Sequence, residues 1–149
     1  MNKYITPIIT ILFCTFSLGS FGAEHVVKML NSGKEGSMIF EPSVLKIEIG
    51  DSVTFKATDT GHNSVSIPNL IPAGAENWQG NLNQDVTVSF EKEGVYVYQC
   101  SPHIVLAMVG VIAVGEATNL EQIMTESEGI QQSFVMNKDR LESYLATLN

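Results

Sequence analysis

The chain is poor in basic residues, in histidine and in cysteine. Lysine and arginine together number 8 against 16 aspartate and glutamate residues, which gives a net charge of −8 at pH 7. This excess of negative charge excludes nucleic acids and anionic membrane surfaces as partners, because both would repel the protein. Two cysteines and three histidines in 149 residues leave few candidates for metal ligation or catalysis. Each of them therefore has to be considered individually.

Residues 1–23 have the three-part pattern of a secretory signal peptide. Lys3 supplies a short basic start, residues 5–18 are almost wholly apolar, and small residues follow up to Ala23. A membrane anchor is the alternative, but it requires about 20 apolar residues, more than this segment offers. We expect export to the periplasm and a mature chain, residues 24–149, without membrane association. Loss of Lys3 leaves seven basic against sixteen acidic residues, a net charge of −9.

Cys100 is the single cysteine of the expected mature chain, because Cys14 lies within the signal segment. It can form no internal disulfide in a compartment where disulfides are normal. A lone thiol in an exported protein calls for a specific reason, and metal ligation is one such reason.

The mature chain has the length of one domain and the pattern of an all-β protein with a helical tail. Because domains usually have about 100–150 residues, we expect a single domain over residues 24–149. Short runs of β-branched and aromatic residues between turn residues predict a β-sandwich over residues 24–115. The predicted strands are 25–30, 37–40, 44–49, 52–58, 85–90, 94–100 and 107–114. Residues 117–149 form the predicted tail, with helices at 119–124 and 130–148.

The residues that carry chemistry lie between the last two predicted strands. Cys100, His103 and Met108 follow each other at Cys-x2-His-x4-Met spacing, so one loop can direct a thiol, an imidazole and a thioether to one point. These donors suit copper, and electron-transfer copper sites add a second imidazole. His62 is the natural fourth ligand, because His25 is at the mature N-terminus and the position of His62 soon after the predicted strand 52–58 would place it at one end of the sandwich. Taken alone, His62 would be a loop histidine and Met108 a core residue.

Beyond this spacing, several segments resemble the blue-copper cupredoxins and, among them, the pseudoazurins. The segments that carry the resemblance are 29–31 MLN, 40–42 FEP, 50–55 GDSVTF, 61–63 GHN, 71–76 IPAGAE, the Cys100 loop and 117–123 ATNLEQI. The resemblance implies an all-β cupredoxin fold, a Greek-key β-sandwich with two short C-terminal helices. Plastocyanins share the loop spacing, but the helical tail and segment 71–76 favour the pseudoazurins.

The resemblance also implies one type 1 copper ion per chain. Its ligands would be His62, Cys100 and His103 in a plane, with Met108 as the weak axial ligand. Asn63 would fix the loop and form a hydrogen bond near the Cys100 sulfur. Met38 would lie beside the imidazole of His103. The alternatives for these last two residues are an ordinary turn residue and a half-buried strand residue.

The implied function is one-electron transfer rather than catalysis. Four protein ligands would leave no open position on the metal for a substrate. The implied partners are a donor and an acceptor protein, such as a copper nitrite reductase or a nitrous oxide reductase, that dock on the face around His103, and we expect a monomer. A copper-delivery protein is the main alternative. A copper oxidase would need a further histidine cluster, and the chain has no histidine beyond His25 to supply one.

The loop and its surroundings depart from the pseudoazurin pattern in two ways. The lysine ring around the copper end is largely missing, since Gln99 precedes the cysteine and Thr60 precedes the Gly-His pair. We therefore expect a partner that is less acidic, either basic or mostly apolar, and an electron-transfer rate that depends weakly on salt. Residues 104–107 replace an aromatic and glycine-containing stretch. If Ala107 adopts positive φ, it costs about 1 kcal/mol relative to glycine.

Overall fold

A computed structural model describes residues 22–149, so residues 1–21, most of the predicted signal peptide, lie outside the described chain. Within residues 22–149, eight strands form two four-stranded sheets, and two helices follow them. The predicted β-sandwich with a helical tail is therefore confirmed. The elements are β1 Glu24–Gly33, β2 Gly36–Glu41, β3 Val44–Ile47, β4 Ser52–Lys56, β5 Val65–Ser66, β6 Val86–Ser89, β7 Gly94–Gln99, β8 Val109–Val114, α1 Leu120–Gln131 and α2 Arg140–Ala146.

Strands that are distant in sequence lie next to each other in both sheets. The first sheet has the order β2-β1-β4-β6 and the second the order β3-β8-β7-β5. β1 and β4 run parallel, with Val27 opposite Phe55, while β7 and β8 form an antiparallel pair with Gln99 opposite Val109. The pairing of β7 with β8 closes the loop that holds Cys100 and His103. Both ends of this loop are therefore fixed by paired strands of the second sheet.

The central strand β7 is buried on both faces, which explains why the sandwich needs its tail. Tyr96 and Tyr98 point between the sheets, where Tyr98 contacts Phe40 and Phe55 edge to face. Val95 and Val97, at the alternate positions, pack into a second apolar cluster with the helices. Without the tail, that outer face would be exposed to water.

The helical tail covers the outer face of the second sheet, but the predicted boundary between its helices is wrong. The predicted second helix begins at Ile130, whereas Ile130 belongs to α1 and residues 132–139 are irregular. The reason is helical phase: Ile130 lies seven residues after Ile123 and so on the same face of one helix. No helix within residues 22–149 combines the length and apolarity needed to cross a membrane.

The segment 61–83 and the end of the Cys100 loop contain short elements that the sequence pattern missed. β5 has two residues, which pair with Gln99 and Tyr98 of β7, and residues 68–70 form a 3₁₀ turn. β8 begins at Val109 rather than 107, because residues 101–106 form 3₁₀ turns that end at Ala107. Elements this short carry no detectable period.

Asp51 organises the end of the sandwich at which β1 and β4 begin. Its carboxylate accepts hydrogen bonds from the Ala23 and Glu48 amides at 2.7 and 3.1 Å and lies 2.8 Å from His25 Nε2. The bond to His25, followed by the two amide bonds, holds the pKa of Asp51 below its ordinary value. A carboxylate with a lowered pKa contributes stability above its ordinary pKa of about 3.9, and this is lost as the pH falls through the folded value.

We therefore expect Asp51→Asn to be less stable than the wild type at pH 7, with a difference that shrinks below about pH 4. Urea unfolding of residues 22–149, which retain the Ala23 amide, at several pH values measures this difference. Glu91→Gln, at an exposed position, is the control and should leave it near zero. A difference that stays constant from pH 7 to pH 3 would contradict the role given to the Asp51 charge.

Candidate metal centre

Two loops at one end of the sandwich bring three of the predicted ligands together. The loop after β4 supplies His62, and the loop between β7 and β8 supplies Cys100 and His103. Cys100 Sγ lies 3.6 Å from His62 Nδ1 and 3.5 Å from His103 Nδ1. All three potential ligand atoms lie within 4.8 Å of one another. The convergence predicted from the sequence for these residues is present in the structure.

Met108, the fourth predicted ligand, is fully buried and packs in the same apolar cluster as Cys100. Its carbonyl accepts a hydrogen bond from the Cys100 amide at 3.0 Å, and its amide donates to the His103 carbonyl at 3.2 Å. The backbone of Met108 is thus fixed to both other ligand candidates of the loop.

The path of this loop follows from its sequence. Pro102 is the second residue of the 3₁₀ segment Ser101–Leu106, a position where no amide donor is needed. The turn is interrupted at His103, whose φ of −118° and ψ of 18° are not helical, and it ends at Ala107. Ala107 has φ 56° and ψ 41°, so the positive φ considered from the sequence is adopted. The loop therefore holds a strained alanine directly before Met108.

Asn63 joins the two loops of the site. Its Oδ1 accepts a hydrogen bond from the Ser101 amide at 2.9 Å, and its Nδ2 donates to Ser101 Oγ and to the Gly80 carbonyl, both at 3.3 Å. These bonds connect the residue after His62 to the residue after Cys100. A loop-fixing position for Asn63 is thus present. Met38 is half-buried against the apolar cluster of Cys100 and Met108, and its predicted position beside His103 stays a prediction.

Asn31 contacts the cluster, although the sequence predicts no role for it. Its Oδ1 lies 2.9 Å from His62 Nε2 and accepts a hydrogen bond from that nitrogen when Nε2 carries the ring proton. The bond leaves Nδ1 free to face Cys100. The third histidine, His25, bonds Asp51 at the start of β1 and takes no part in the cluster.

Burial sets the protonation of the cluster. Burial, and secondly repulsion from His103, lowers the pKa of His62, against a smaller opposing effect of Asp59. Burial raises the pKa of the Cys100 thiol, although the backbone amides of Asn63 and His103 oppose this in part. The lowered pKa favours the neutral form of His62, which is the form that ligates a metal, while the thiol has to lose its proton when a metal binds.

The donor set and its spacing fit a copper ion. A metal ion of this class binds imidazole nitrogen at about 2.0–2.1 Å and thiolate sulfur at about 2.3 Å, as zinc does. If a metal ion binds a sulfur and a nitrogen at these lengths with an angle wider than about 90° between the two bonds, the sulfur and the nitrogen lie about 3.5 Å apart. Cys100 Sγ lies at this distance from both histidines, 3.6 Å from His62 Nδ1 and 3.5 Å from His103 Nδ1. One thiolate and two imidazoles beside a buried thioether are the donors of electron-transfer copper sites rather than of structural zinc sites.

Residues 27–115 match the family model for copper binding proteins of the plastocyanin/azurin family. The chain belongs to this family. It is 35% identical over 130 residues to the pseudoazurin of Paracoccus pantotrophus, which covers 87% of this chain and 86% of the relative. It is 43% identical over 99 residues to the pseudoazurin of Methylorubrum extorquens, covering 66% of this chain and 67% of that one.

The fold of the chain is also similar to that of a solved pseudoazurin structure. The crystal structure of native pseudoazurin from Hyphomicrobium denitrificans matches with a TM-score of 0.77 at 36% identity, covering 85% of this chain and 99% of that chain. The family consists of copper proteins that transfer electrons rather than catalyse reactions. The resemblance to the pseudoazurins, the cupredoxin fold and the copper cofactor are therefore confirmed.

Tyr98, beneath the site, carries a buried hydroxyl that has no hydrogen-bond partner within residues 22–149. Burial raises its pKa, so the group stays neutral. The ring lies over Gly110, where an added Cβ would come within 2.3 Å of the Tyr98 Cζ and Oη atoms. The ring position is thus fixed by packing and not by its hydroxyl.

Because an unsatisfied buried hydroxyl is unfavourable, we expect Tyr98→Phe to raise the free energy of unfolding by about 1 kcal/mol. Tyr96→Phe is the matched control, since the Tyr96 hydroxyl donates to the Lys92 carbonyl at 2.7 Å and its loss should lower stability by about 1 kcal/mol. Urea unfolding of both variants measures the difference. Equal losses in the two variants would show that the Tyr98 hydroxyl is satisfied.

Proposed function

We propose that this protein is a periplasmic carrier of single electrons whose one copper ion is held by His62, Cys100, His103 and Met108. The observation that carries the proposal is the convergence of the Cys100 thiol and two imidazole Nδ1 atoms within 4.8 Å. Bound copper supplies a Cu(II)/Cu(I) couple that takes one electron from a donor protein and gives one to an acceptor, with no covalent bond made or broken. Residues 1–23 are the signal peptide that directs export, and residues 24–149 form the single mature domain.

The burial of the ligands supports a carrier that retains its metal. The side chains of His62, Cys100 and Met108 are fully buried, so water and small molecules have no direct access to that side of the site. His103 is partly exposed. We infer that its ring is where the electron enters and leaves, because it is the ligand that a partner protein can approach.

The surface around His103 supports docking through apolar contacts. Val105 of the same loop is 44% exposed, and Val135 and Met136 of the connection between α1 and α2 are 72% and 52% exposed. The Val135 amide donates to the Val105 carbonyl at 2.8 Å, so the loop and the connection form one surface. An exposed apolar patch of this kind suits a short-lived contact with a redox partner. We propose a monomer that uses this patch for a donor and for an acceptor such as copper nitrite reductase or nitrous oxide reductase.

The carrier is tested with residues 24–149 loaded with Cu(II). We expect an intense blue absorption, a reversible one-electron wave at an electrode and retention of the metal in a chelator over many cycles. Rapid loss of copper to the chelator in both redox states would instead identify a copper-delivery protein.

The docking surface is tested by the rate of electron transfer to a copper nitrite reductase. Because lysines are scarce around the site, the rate should depend weakly on salt. Val135→Asp, which places a charge in the patch, should lower it, whereas Lys138→Met at a neighbouring exposed position should not. A steep salt dependence, or equal rates for Val135→Asp and the wild type, would overturn the proposed surface.

A further inference from the structure

Three consecutive carbonyl groups of the Cys100 loop accept hydrogen bonds from one stretch of the tail. The Val105 carbonyl accepts from the Val135 amide at 2.8 Å and from the Met136 amide at 3.3 Å. The Leu106 carbonyl accepts from Asn137 Nδ2 at 3.2 Å, and the Ala107 carbonyl from Arg140 Nη1 at 3.0 Å. The second half of the loop is thus held residue by residue by a segment about 30 positions further along the chain.

Arg140 is the central group of this contact. It is the single arginine of the sequence and only 9% exposed. Its Nη1 donates to the Ala107 and Met38 carbonyls, both at 3.0 Å, and its Nη2 to the Ser37 carbonyl at 3.3 Å. Within residues 22–149 it makes no salt bridge. A buried guanidinium with three hydrogen bonds, each to a backbone carbonyl, fixes geometry rather than neutralising an acid.

Two of these carbonyls belong to residues in a strained conformation. Met38 has φ 50° and Ala107 has φ 56°, a region that costs a non-glycine residue about 1–2 kcal/mol. Such residues keep their conformation only where the surroundings hold them. Arg140 Nη1 joins both of them, so one guanidinium stabilises strained backbone in β2 and directly before Met108.

Packing alone would hold the tail on the sheet. Phe134, Leu141 and Leu145 are buried against the outer face of β7 and β8, and they do not depend on the polar bonds to the loop. The bonds from residues 135–140 therefore do more than attach the tail: they determine where the loop carbonyls lie. This separation makes the two roles distinguishable by mutation.

We propose that Val135, Met136, Asn137 and Arg140 form a loop brace that positions the Cys100–Met108 loop before any metal binds, with Arg140 as its main positioning residue. The brace preorganises His103 and Met108, so that copper enters a site that is already shaped. It rests on the proposed function only in that the loop supplies metal ligands. The bracing itself is a property of the metal-free protein.

Four variants of residues 24–149 test the brace. Arg140→Met removes all the guanidinium bonds, and Arg140→Lys keeps the charge and one donor group. Asn137→Gly removes the bond to Leu106 while tolerating the positive φ of 50° at this position. Lys138→Met is the matched control, because it removes a positive charge from an exposed position of the same segment.

Amide hydrogen exchange in the metal-free protein is the first measurement. The Ala107 and Met108 amides, which donate to the Ile104 and His103 carbonyls, should exchange at least about tenfold faster in Arg140→Met, since a hydrogen bond from a charged group contributes about 1.5–3 kcal/mol. Arg140→Lys and Asn137→Gly should give intermediate increases and Lys138→Met none. Amides in the middle of β4 should be unchanged in all four, which separates loop release from lower global stability.

Copper loading is the second measurement. Arg140→Met should lose copper to a chelator about tenfold faster than the wild type and show shifted thiolate-to-copper absorption, with partial recovery in Arg140→Lys. Unchanged loop exchange in a folded Arg140→Met, or equal effects of Lys138→Met, would overturn the brace. If Arg140→Met does not fold, Arg140→Lys and Asn137→Gly decide by the same criteria. If the Arg140 variants show the expected changes in amide exchange but the copper-treated wild type never turns blue, the proposed function is refuted and the loop brace is still supported.

Discussion

Cys100→Ser abolishes the blue absorption expected of the copper-loaded protein. That colour arises from charge transfer between thiolate sulfur and copper, and Cys100 is the one cysteine within residues 24–149. A serine hydroxyl is similar in size but does not ionise at neutral pH, so it cannot replace the thiolate. We expect complete loss of the absorption when Cu(II) is added, with any residual copper bound weakly by the two histidines.

The same substitution should leave the fold intact. Cys100 is fully buried, and serine adds a hydroxyl that faces the Nδ1 atoms of His62 and His103 and can bond to either of them. We expect destabilisation of the metal-free domain by about 1–2 kcal/mol, measured by urea unfolding. Ser101→Ala, at the exposed neighbour that bonds Asn63, is the control and should remain blue. Blue colour in Cys100→Ser would show that another group carries the absorption.

Phe55→Ala should give the largest loss of stability among single substitutions in the sandwich. The ring is fully buried, stacks on Trp78 at a centroid distance of 5.6 Å, and contacts Phe40 and Tyr98 edge to face. Removal of a phenyl group from such a cluster costs about 3–5 kcal/mol, because it loses apolar burial and leaves a cavity. Since domains are stable by only about 5–15 kcal/mol, we expect much of the metal-free variant to be unfolded at 37 °C.

Copper should partly restore the Phe55→Ala variant, because a ligand that binds the folded state alone stabilises it by mass action. The measurement is thermal unfolding with and without a saturating amount of Cu(II). Thr54→Ala is the control: Thr54 is the adjacent residue on the outer face of β4, where its hydroxyl lies 2.8 Å from that of Thr87. It should cost less than about 1 kcal/mol. Similar losses at positions 54 and 55 would contradict the assignment of Phe55 to the structural centre.

The sequence was informative where a local pattern carries the structure. Short runs of β-branched and aromatic residues, with turn residues between them, predicted the sandwich, because such residues favour strands. The spacing of Cys100, His103 and Met108 predicted three neighbouring side chains, since one short loop holds all of them. His62 required a different argument, elimination among three histidines, and the structure brings it to the Cys100 sulfur.

The rest depends on contacts that leave no pattern in the chain. Arg140 lies 102 residues from Met38 and binds its backbone carbonyl, which every residue type possesses, so nothing in the sequence marks the partner. Asn31 was part of a recognised segment, but its bond to His62 Nε2 depends on the register of β1 against β4. The predicted break between the helices is wrong because Ile123 and Ile130 share one helical face, so α1 continues to Gln131.

The arrangement of the Cys100 loop also restricts how this protein can change during evolution. Three candidate ligands lie within nine residues, between two strands that pair directly at Gln99 and Val109. By this criterion alone, the loop could be replaced by another without altering the sandwich. The carbonyls of residues 105–107 nevertheless have fixed acceptor positions for residues 135–140. A loop of another length would lose the hydrogen bonds from residues 135–140. The loop and this segment of the tail should therefore be inherited together, and should be transferred together when they are exchanged between homologues.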